Sequence, residues 1–294
     1  MKSLLVIVLP IFSMFASFPL LASDDNLTDP IMVDGSNGWR QKITNDDSFI
    51  LRTNDGGKHW IDVSPPSLGD AVKKYRHEQM ADFLEDAVQI SPLDARRAWV
   101  SIVPPNLNET WLAYTGDAGR HWTKKIAPID DDSSAPISFV DEAHGFLLAL
   151  GDPAAGLMKK HVYGTEDGGN RWYVLTPPPA EGCYPTGISF RSHSDGWIGG
   201  TYHGGDAAPL YRTVDGGKSW KLQQIPIPAD YQGGYANVEP PVFTGPDKKK
   251  GYLPVHLVRH TPPPDHDADV KYETEDGGAT WHLPASGVQS NLLK

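Results

Sequence analysis

Short apolar segments, rather than long amphipathic helices, dominate the chain after its first two dozen residues. Extended segments such as 137–139 and 188–190, both Ile-Ser-Phe, are followed by a polar turn, a small residue and an aromatic residue. Each unit therefore predicts strand, turn, aromatic strand, loop, strand, turn and strand. Segment 68–88 differs because its apolar positions have helical spacing, and we expect a short helix there, inserted between the first two units.

Two motifs recur five times. The first is T-x-D-x-G-x-x-W, and its aspartates stand 62, 50, 48 and 61 residues apart, a period that suits one four-stranded sheet per repeat. The second lies upstream of the first and is a small residue followed by an aromatic one, as in Gly38-Trp39 and Gly196-Trp197. The Asp, Gly and Trp positions of the first motif are Asp55, Gly57 and Trp60; Asp117, Gly119 and Trp122; Asp167, Gly169 and Trp172; Asp215, Gly217 and Trp220; and Asp276, Gly278 and Trp281.

The residue types of the first motif are those of a tight turn between two strands. The Asp side chain can accept hydrogen bonds from backbone amides ahead of it, the Thr hydroxyl can join that network, and Gly permits positive φ. Ala118 replaces the first glycine of the second copy while Gly119 is kept, so we expect the second glycine position to carry the positive φ. The Trp then emerges on the outgoing strand and packs into the seam against neighbouring structure.

These repeats predict an all-β fold, a β-propeller of about five four-stranded blades that forms a single domain over residues 24–294. The expected blades are 32–66, 87–128, 137–179, 188–228 and 241–286. Composition agrees, because 29 Gly and 26 Pro disfavour long helices. The single cysteine, Cys183, excludes an internal disulfide framework. We expect its thiol to be buried and inert, or else to link the chain to a partner.

The N-terminus predicts export. Lys2, the apolar run 3–21 and the small residues Ala22 and Ser23 are typical of a signal peptide over residues 1–23, with an uncleaved anchor as the alternative. The chain is then periplasmic or secreted, with no membrane insertion after cleavage. Its formal charge of −11 becomes one unit more negative without Lys2, which argues against a nucleic-acid or anionic-membrane surface.

The T-x-D-x-G-x-x-W motif resembles the Asp-box, or bacterial neuraminidase repeat, over about residues 32–286. Such boxes occur in the β-propellers of sialidases, sortilin-type receptors, several glycoside hydrolases and the exported photosystem II assembly and stability factor family. Gly-Gly after the Asp, with the small–aromatic pair upstream, is most similar to the assembly-factor family. Five units and an acidic balance depart from that family's usual pattern, so its photosynthetic role does not carry over. The Arg-Ile-Pro element of sialidases is missing, since Arg40 is followed by Gln41 and Lys42.

The five boxes are intact and the sequence contains no recognisable catalytic set, so we expect a binding propeller rather than an enzyme, with its ligand on the face away from the motif turns. The loops and inter-blade links of that face are longer, more aromatic and richer in His. The candidate binding residues are Asp152, Glu181, Tyr184, Tyr202, His203, Tyr231, Tyr235, His260 and His266. The expected function is a non-enzymatic scaffold for an unidentified protein partner of the cell envelope, with no catalytic residue, metal or cofactor assigned.

Three alternatives remain open for the same loops. A glycoside hydrolase or lectin would use Glu181, Asp206 and Glu239 as acids, because such enzymes work with paired carboxylates. Tyr202, Tyr231 and Tyr235 would form a platform for a sugar or a peptide. A divalent metal would take its ligands from His260, Asp265, His266, Asp267 and Asp269.

Overall fold

Five antiparallel sheets follow one another along the chain and form a five-bladed β-propeller, as the repeats predict. The computed structural model describes residues 26–44, 47–78, 87–105, 108–127, 129, 134–154, 157–177, 182–202, 204–245, 247–259, 266–285 and 287–288. The expected signal segment lies outside these residues, as do Glu181, His203, His260 and the side chain of His266. Within them, no helix has the length and apolar character needed to cross a membrane.

The strands divide among the blades in chain order. Blade 1 contains β1 (Asn26–Leu27), β2 (Ile31–Met32), β3 (Gly38–Thr44), β4 (Asp47–Thr53) and β5 (Ile61–Asp62). Blade 2 contains β6 (Val88–Pro92), β7 (Ala98–Ile102), β8 (Thr110–Thr115) and β9 (Thr123–Ala127). Blade 3 contains β10 (Ile137–Phe139), β11 (Gly145–Ala154), β12 (Leu157–Thr165) and β13 (Tyr173–Leu175). Blade 4 contains β14 (Cys183–Phe190), β15 (Gly196–Tyr202), β16 (Tyr211–Thr213) and β17 (Lys221–Leu222). Blade 5 contains β18 (Tyr235–Val238), β19 (Val242–Thr244), β20 (Lys250–Arg259) and β21 (His266–Thr274).

The first and last blades depart from a regular four-strand meander. In blade 1, β1 and β2 pair with successive parts of β3, and in blade 5, β18 and β19 pair with successive parts of β20. Each pair of short strands thus forms one interrupted first strand. The fourth strand of blade 5 is reduced to a single bridge between Glu273 and His282.

Aromatic residues join three pairs of neighbouring blades. Trp99 of blade 2 stacks on Phe139 of blade 3, with ring centroids 4.1 Å apart, and Phe146 of blade 3 stacks on Phe190 of blade 4 at 3.4 Å. The ring of Trp197 of blade 4 lies near that of Phe243 of blade 5, with centroids 5.1 Å apart. The small–aromatic motif therefore supplies a ring on the second strand of one blade that packs on the first strand of the next, and this repeated contact builds the core.

Serines on the first strands add a hydrogen bond to three of these junctions. Ser91 accepts the Phe139 amide at 2.9 Å, and Ser138 accepts the Phe190 amide at 2.8 Å. Ser189 instead donates to the carbonyl of Pro241 at 2.7 Å. Between blades 5 and 1, Lys271 forms an ion pair with Asp29.

Helix α1 (Pro66–His77) lies between blades 1 and 2. Pro66 suits its first turn because that position needs no N–H partner. Leu68, Val72 and Tyr75 form its buried face, and the Tyr75 hydroxyl donates to the Val103 carbonyl at 2.7 Å. The helix thus packs against the side of the propeller. It begins two residues before the expected segment 68–88, of which residues 79–86 lie outside the described chain.

Candidate functional site

The five T-x-D-x-G-x-x-W segments, which we call the motif turns, share one hydrogen-bond network. In the fourth copy, the Thr213 hydroxyl donates to Asp215 Oδ1 at 2.8 Å and accepts the Gly217 amide at 2.9 Å, while Asp215 Oδ1 accepts the Ser219 amide at 2.9 Å. The other four copies repeat these three bonds. Hydrogen bonds from the Ser219 hydroxyl and amide lower the pKa of Asp215 to about 2. These aspartates are therefore structural groups that close hairpins.

The second glycine position of the motif carries positive φ in every copy, as expected, with Gly119 at 81°. The first position does so as well, including Ala118 at 66°. The amide of Ala118 donates to the Arg96 carbonyl at 2.7 Å, so this alanine keeps the turn at the cost of a strained backbone conformation.

Two tryptophans of the motif, Trp122 and Trp220, enter inter-blade seams, as expected. The Trp122 indole of blade 2 donates to the Val63 carbonyl after blade 1 at 2.8 Å, and the Trp220 indole of blade 4 donates to the Thr176 carbonyl after blade 3 at 2.9 Å. Trp60 has no earlier blade and donates to Gly57 of its own turn at 3.0 Å. The guanidinium of Arg40 covers its ring.

The motif turns and the turns between first and second strands lie on one face, which we call the motif face. In every blade, the amide after the motif Asp donates to a carbonyl of the first-to-second-strand turn. The five pairs are Gly56 with Ser36, Ala118 with Arg96, Gly168 with Ala143, Gly216 with Ser194 and Gly277 with Lys249. The second-to-third-strand loops and the inter-blade links consequently lie on the opposite face.

On the opposite face, a cleft of about 510 Å³ opens between blades 4 and 5. Its lining is Tyr202, Gly204, Gly205, Ala207, Gly233, Gly234 and Tyr235. The rings of Tyr202 and Tyr235 stack across the junction, with centroids 4.7 Å apart and planes inclined by 22°. Two of the three tyrosines expected to form a platform are therefore brought together, although they stand 33 positions apart in the chain.

Backbone hydrogen bonds fix the two walls of the cleft. The Tyr202 amide at the end of β15 donates to Asn237 Oδ1 on β18 at 3.0 Å. The Ala236 amide, next to Tyr235, donates to the Ala207 carbonyl at 2.6 Å. Gly204 and Gly233 hold φ of 92° and 82°, and a Cβ at either would meet no atom within 4 Å. The turns therefore need glycine for backbone conformation, and the space beside them is open.

The cleft has acidic surroundings. Burial raises the pKa of the Tyr235 phenol, and the charge of Asp267 raises it further. Burial likewise raises the pKa of Tyr231, with added effects of Asp267 and Asp230. Both phenols are thus protonated hydrogen-bond donors at neutral pH, next to carboxylates that favour a cationic ligand.

The remaining candidate residues do not join the cleft lining. Tyr231 is only 4% exposed and packs in the core beneath it. Asp152 is exposed on β11, and Tyr184 is half-buried on β14, where its carbonyl accepts the Thr201 hydroxyl at 3.3 Å. Of His266 the structure describes only the backbone, at the start of β21.

The carboxylates considered for hydrolysis have other partners. Asp206 accepts the Tyr211 hydroxyl at 2.6 Å. Glu239 is half-buried as a residue, but its carboxyl group is enclosed, and this desolvation raises its pKa to about 7, which the nearby Thr186 hydroxyl offsets only in part. That hydroxyl donates to the Val238 carbonyl at 2.8 Å. The neighbour of Glu239 is thus a hydroxyl rather than a second carboxylate. Glu181 lies outside the described residues, so the paired-acid site stays a prediction.

The candidate metal loop gains a histidine that sequence reasoning missed. His256 on β20 pairs with Asp269, Nδ1 to Oδ1 at 2.8 Å, and its Nε2 lies 3.9 Å from Asp267 Oδ2. Strand register explains the contact, because His256 lies directly opposite Asp269. Cys183 is buried, and desolvation raises its pKa to about 11, which suits the expected inert thiol.

A second group of residues was missed on the motif face. Asp141, His144 and His193 come from neighbouring turns of blades 3 and 4. A repeated pattern marks the turns: Asp34, Asp94, Asp141 and Asp247 each stand four residues before the small residue of a small–aromatic pair, with Ser192 in the fourth blade. Each of these side chains accepts backbone amides of its own turn. Sequence could have shown the pattern but not which turns meet.

No protein-family model matches the chain, and no curated protein matches it in sequence. Solved structures do resemble it. The endosialidase of phage phi92 is 9% identical with a TM-score of 0.52, over 91% of this chain and 60% of that one. The GH74 enzyme of Niastella koreensis is 12% identical with a TM-score of 0.50, over 84% of this chain but only 35% of that one. The structure of YCF48 bound to D1 peptide is 14% identical with a TM-score of 0.46, over 90% and 84%. The identities are low, so what the chain shares with these proteins is the β-propeller fold.

Proposed function

We propose that this chain is an exported, non-enzymatic β-propeller that binds an extended polypeptide segment of a protein partner in the cell envelope. The binding site is the cleft between blades 4 and 5. Export rests on the N-terminal sequence, Lys2 followed by the apolar run 3–21 and a small-residue exit.

The observation that carries the proposal is the Tyr202–Tyr235 pair in an open, glycine-walled cleft. The stacked rings of Tyr202 and Tyr235 form a paired aromatic surface in the lining of the cleft. Tyrosines combine a rigid apolar surface with a polar tip, a combination that binding sites use often. Gly204 and Gly233 leave open space beside the rings, so a ligand backbone can approach closely.

Charge narrows the choice of segment. The charge of Asp267 acts on Tyr235 at the cleft, and that of Asp230 acts on the buried Tyr231. The whole chain carries a formal charge of −11. A Lys or Arg of the ligand would be attracted by the carboxylates and by an aromatic ring face. We therefore propose that the bound segment is extended and contains at least one basic residue.

A glycan is the second candidate, because stacked tyrosines are also a platform for sugar rings. The described residues of the cleft include no pair of acids for hydrolysis, so the protein would bind the glycan as a lectin does, without cleaving it. The acidic surroundings attract a basic peptide but not a neutral sugar, and we therefore favour the polypeptide as the ligand.

The test uses two probes on the immobilised full chain: a phage-displayed random peptide library and a glycan array. We expect the library to yield peptides enriched in Lys or Arg that no longer bind when Tyr202 and Tyr235 are both replaced by alanine. Tyr173→Ala, at an exposed tyrosine of β13, is the matched control and should retain binding. Enrichment on the glycan array alone would favour the lectin, and enrichment of neither probe would refute the assignment of the cleft.

A further inference from the structure

Asp141, His144 and His193 form a compact group on the motif face, far from the tyrosine cleft in the fold. Asp141 and His144 belong to the turn between β10 and β11 of blade 3, and His193 to the turn between β14 and β15 of blade 4. His193 Nε2 lies 2.7 Å from Asp141 Oδ2, and His144 Nδ1 lies 2.9 Å from the same oxygen. One potential ligand atom of each side chain lies within 4.8 Å of the others.

The turn positions these side chains rather than leaving them to meet by chance. Asp141 Oδ1 accepts the amides of Ala143 and His144 at 2.8 and 2.7 Å, which fixes the carboxylate and directs Oδ2 towards both imidazoles. The two imidazole rings lie 4.1 Å apart, centroid to centroid. Orientation of a metal-binding carboxylate by backbone donors is the kind of outer support that metal sites have.

We propose that Asp141, His144 and His193 bind one divalent transition-metal ion, with Zn²⁺ the best fit, and that the ion joins blades 3 and 4. Two imidazole nitrogens and one carboxylate oxygen are a ligand set that zinc takes readily, with water as the fourth ligand. Bonds of about 2.0–2.1 Å in a tetrahedron place ligand atoms roughly 3.3 Å apart. The two nitrogen–oxygen separations of 2.7 and 2.9 Å are each shorter than this value, by roughly half an ångström.

The surroundings set the strength of binding. His193 is 61% exposed at its side chain, and the ammonium of Lys248 acts on Asp141 and opposes a cation. With three protein ligands and this opposing charge, we expect a dissociation constant in the micromolar range rather than that of a closed four-ligand structural site.

The motif turns supply matched controls. His121 pairs with Asp117, Nδ1 to Oδ2 at 2.6 Å, and its side chain is 88% exposed. It offers the same two ligand types, and among the described residues no third ligand lies close enough to complete a group. His256 with Asp267 and Asp269 is the other His–carboxylate group near a candidate metal loop. If any exposed His–Asp pair bound zinc, these sites would contribute as much as the proposed one.

The experiment is a calorimetric titration of the full chain with ZnSO₄ in a non-chelating buffer. We expect one equivalent in the wild type, His121→Ala and His256→Ala, and binding at least tenfold weaker in His144→Ala and His193→Ala. The visible absorption of the Co²⁺ form of the wild type, which needs no variant, should be that of a low-coordinate site with nitrogen ligands. Absence of binding by the wild type, or unchanged binding by His193→Ala, would overturn the proposal.

Discussion

Replacing Thr213 by valine tests the hydrogen-bond network on which the repeat depends. The substitution keeps the shape of the side chain, which is 1% exposed, and removes only its hydroxyl chemistry. The Gly217 amide, buried at the same place, then loses its acceptor. The Asp215 carboxylate is solvent-accessible and can replace the lost hydrogen bond from Thr213 with one from water. The loss of stability should therefore come mainly from the Gly217 amide, which has no acceptor in the variant.

A buried donor without a partner costs about 1–3 kcal/mol, so the free energy of unfolding should fall by that amount. In a protein of this size, each kcal/mol lowers the melting temperature by roughly 2–4 °C. Urea denaturation should show a lower midpoint with an unchanged m value, because the surface exposed on unfolding is the same.

Thr244→Val is the matched control. The Thr244 hydroxyl lies 3.5 Å from the Lys250 carbonyl, too long for a strong bond, and valine suits a strand. We expect its effect to stay within about 0.5 kcal/mol. Equal stabilities of the Thr213 and Thr244 variants would refute the account of the motif turns.

Three further predictions follow from the packing and titration of single groups. Gly119→Ala should lower the free energy of unfolding by at least about 1 kcal/mol more than Gly57→Ala. Both positions have positive φ, but a Cβ at Gly119 would lie 2.5 Å from Val63 Cβ, whereas at Gly57 the nearest atom is 3.6 Å away. Equal losses of unfolding free energy in chemical denaturation would contradict the packing of Gly119 in the seam. The pKa of Glu239 is raised from 4.5 to about 7 in the folded state, so between these pH values the folded state binds more protons than the unfolded state, and the free energy of unfolding falls as the pH rises. Glu239→Gln should therefore be more stable than the wild type by up to about 3 kcal/mol at pH 8 and equally stable below about pH 4.5. Parallel curves of stability against pH for the two proteins would count against this. The buried thiol of Cys183, with its pKa raised to about 11, should react slowly with iodoacetamide at pH 8 in the native protein and rapidly in urea; rapid labelling of the native protein would show an accessible thiol.

The fold could be predicted because its determinants are local and repeated. Asp215, Gly217 and Trp220 lie within one turn and strand, so their spacing in sequence already specifies the geometry that the structure shows. The small–aromatic motif was equally readable, and its rings on blades 2, 3 and 4 each pack on the first strand of the next blade. Repetition turned each weak local signal into a strong one.

The candidate sites were only partly predictable because each is assembled from two blades. Tyr202 and Tyr235 were both expected on one face, but only the closing of blade 5 on blade 4 determines that they stack while Tyr231 is buried. Asp141 and His193 stand 52 positions apart, in turns whose sequences give no sign of a shared neighbour. Contacts of this kind depend on the diameter of the propeller and on the rotation of each blade relative to the next, and a local sequence pattern predicts neither.

The order of the blades also explains why one junction differs. The first four junctions follow the chain, so each blade can pack on the one made just before it. The last junction joins blade 5 to blade 1, and there Lys271 forms an ion pair with Asp29. Gly57 accordingly faces only its own Trp60, while the equivalent Gly119 presses on the preceding blade.

The central claim is that the Tyr202–Tyr235 cleft is where a ligand binds. Hydrogen exchange of the full chain, with and without a basic peptide selected from the library, measures this directly. We predict slower exchange in the segments 202–207 and 233–237, because the amides of Tyr202 and Ala236 close the two walls of the cleft. Protection of the motif-face turns, such as 141–144, with an unchanged cleft would contradict the account.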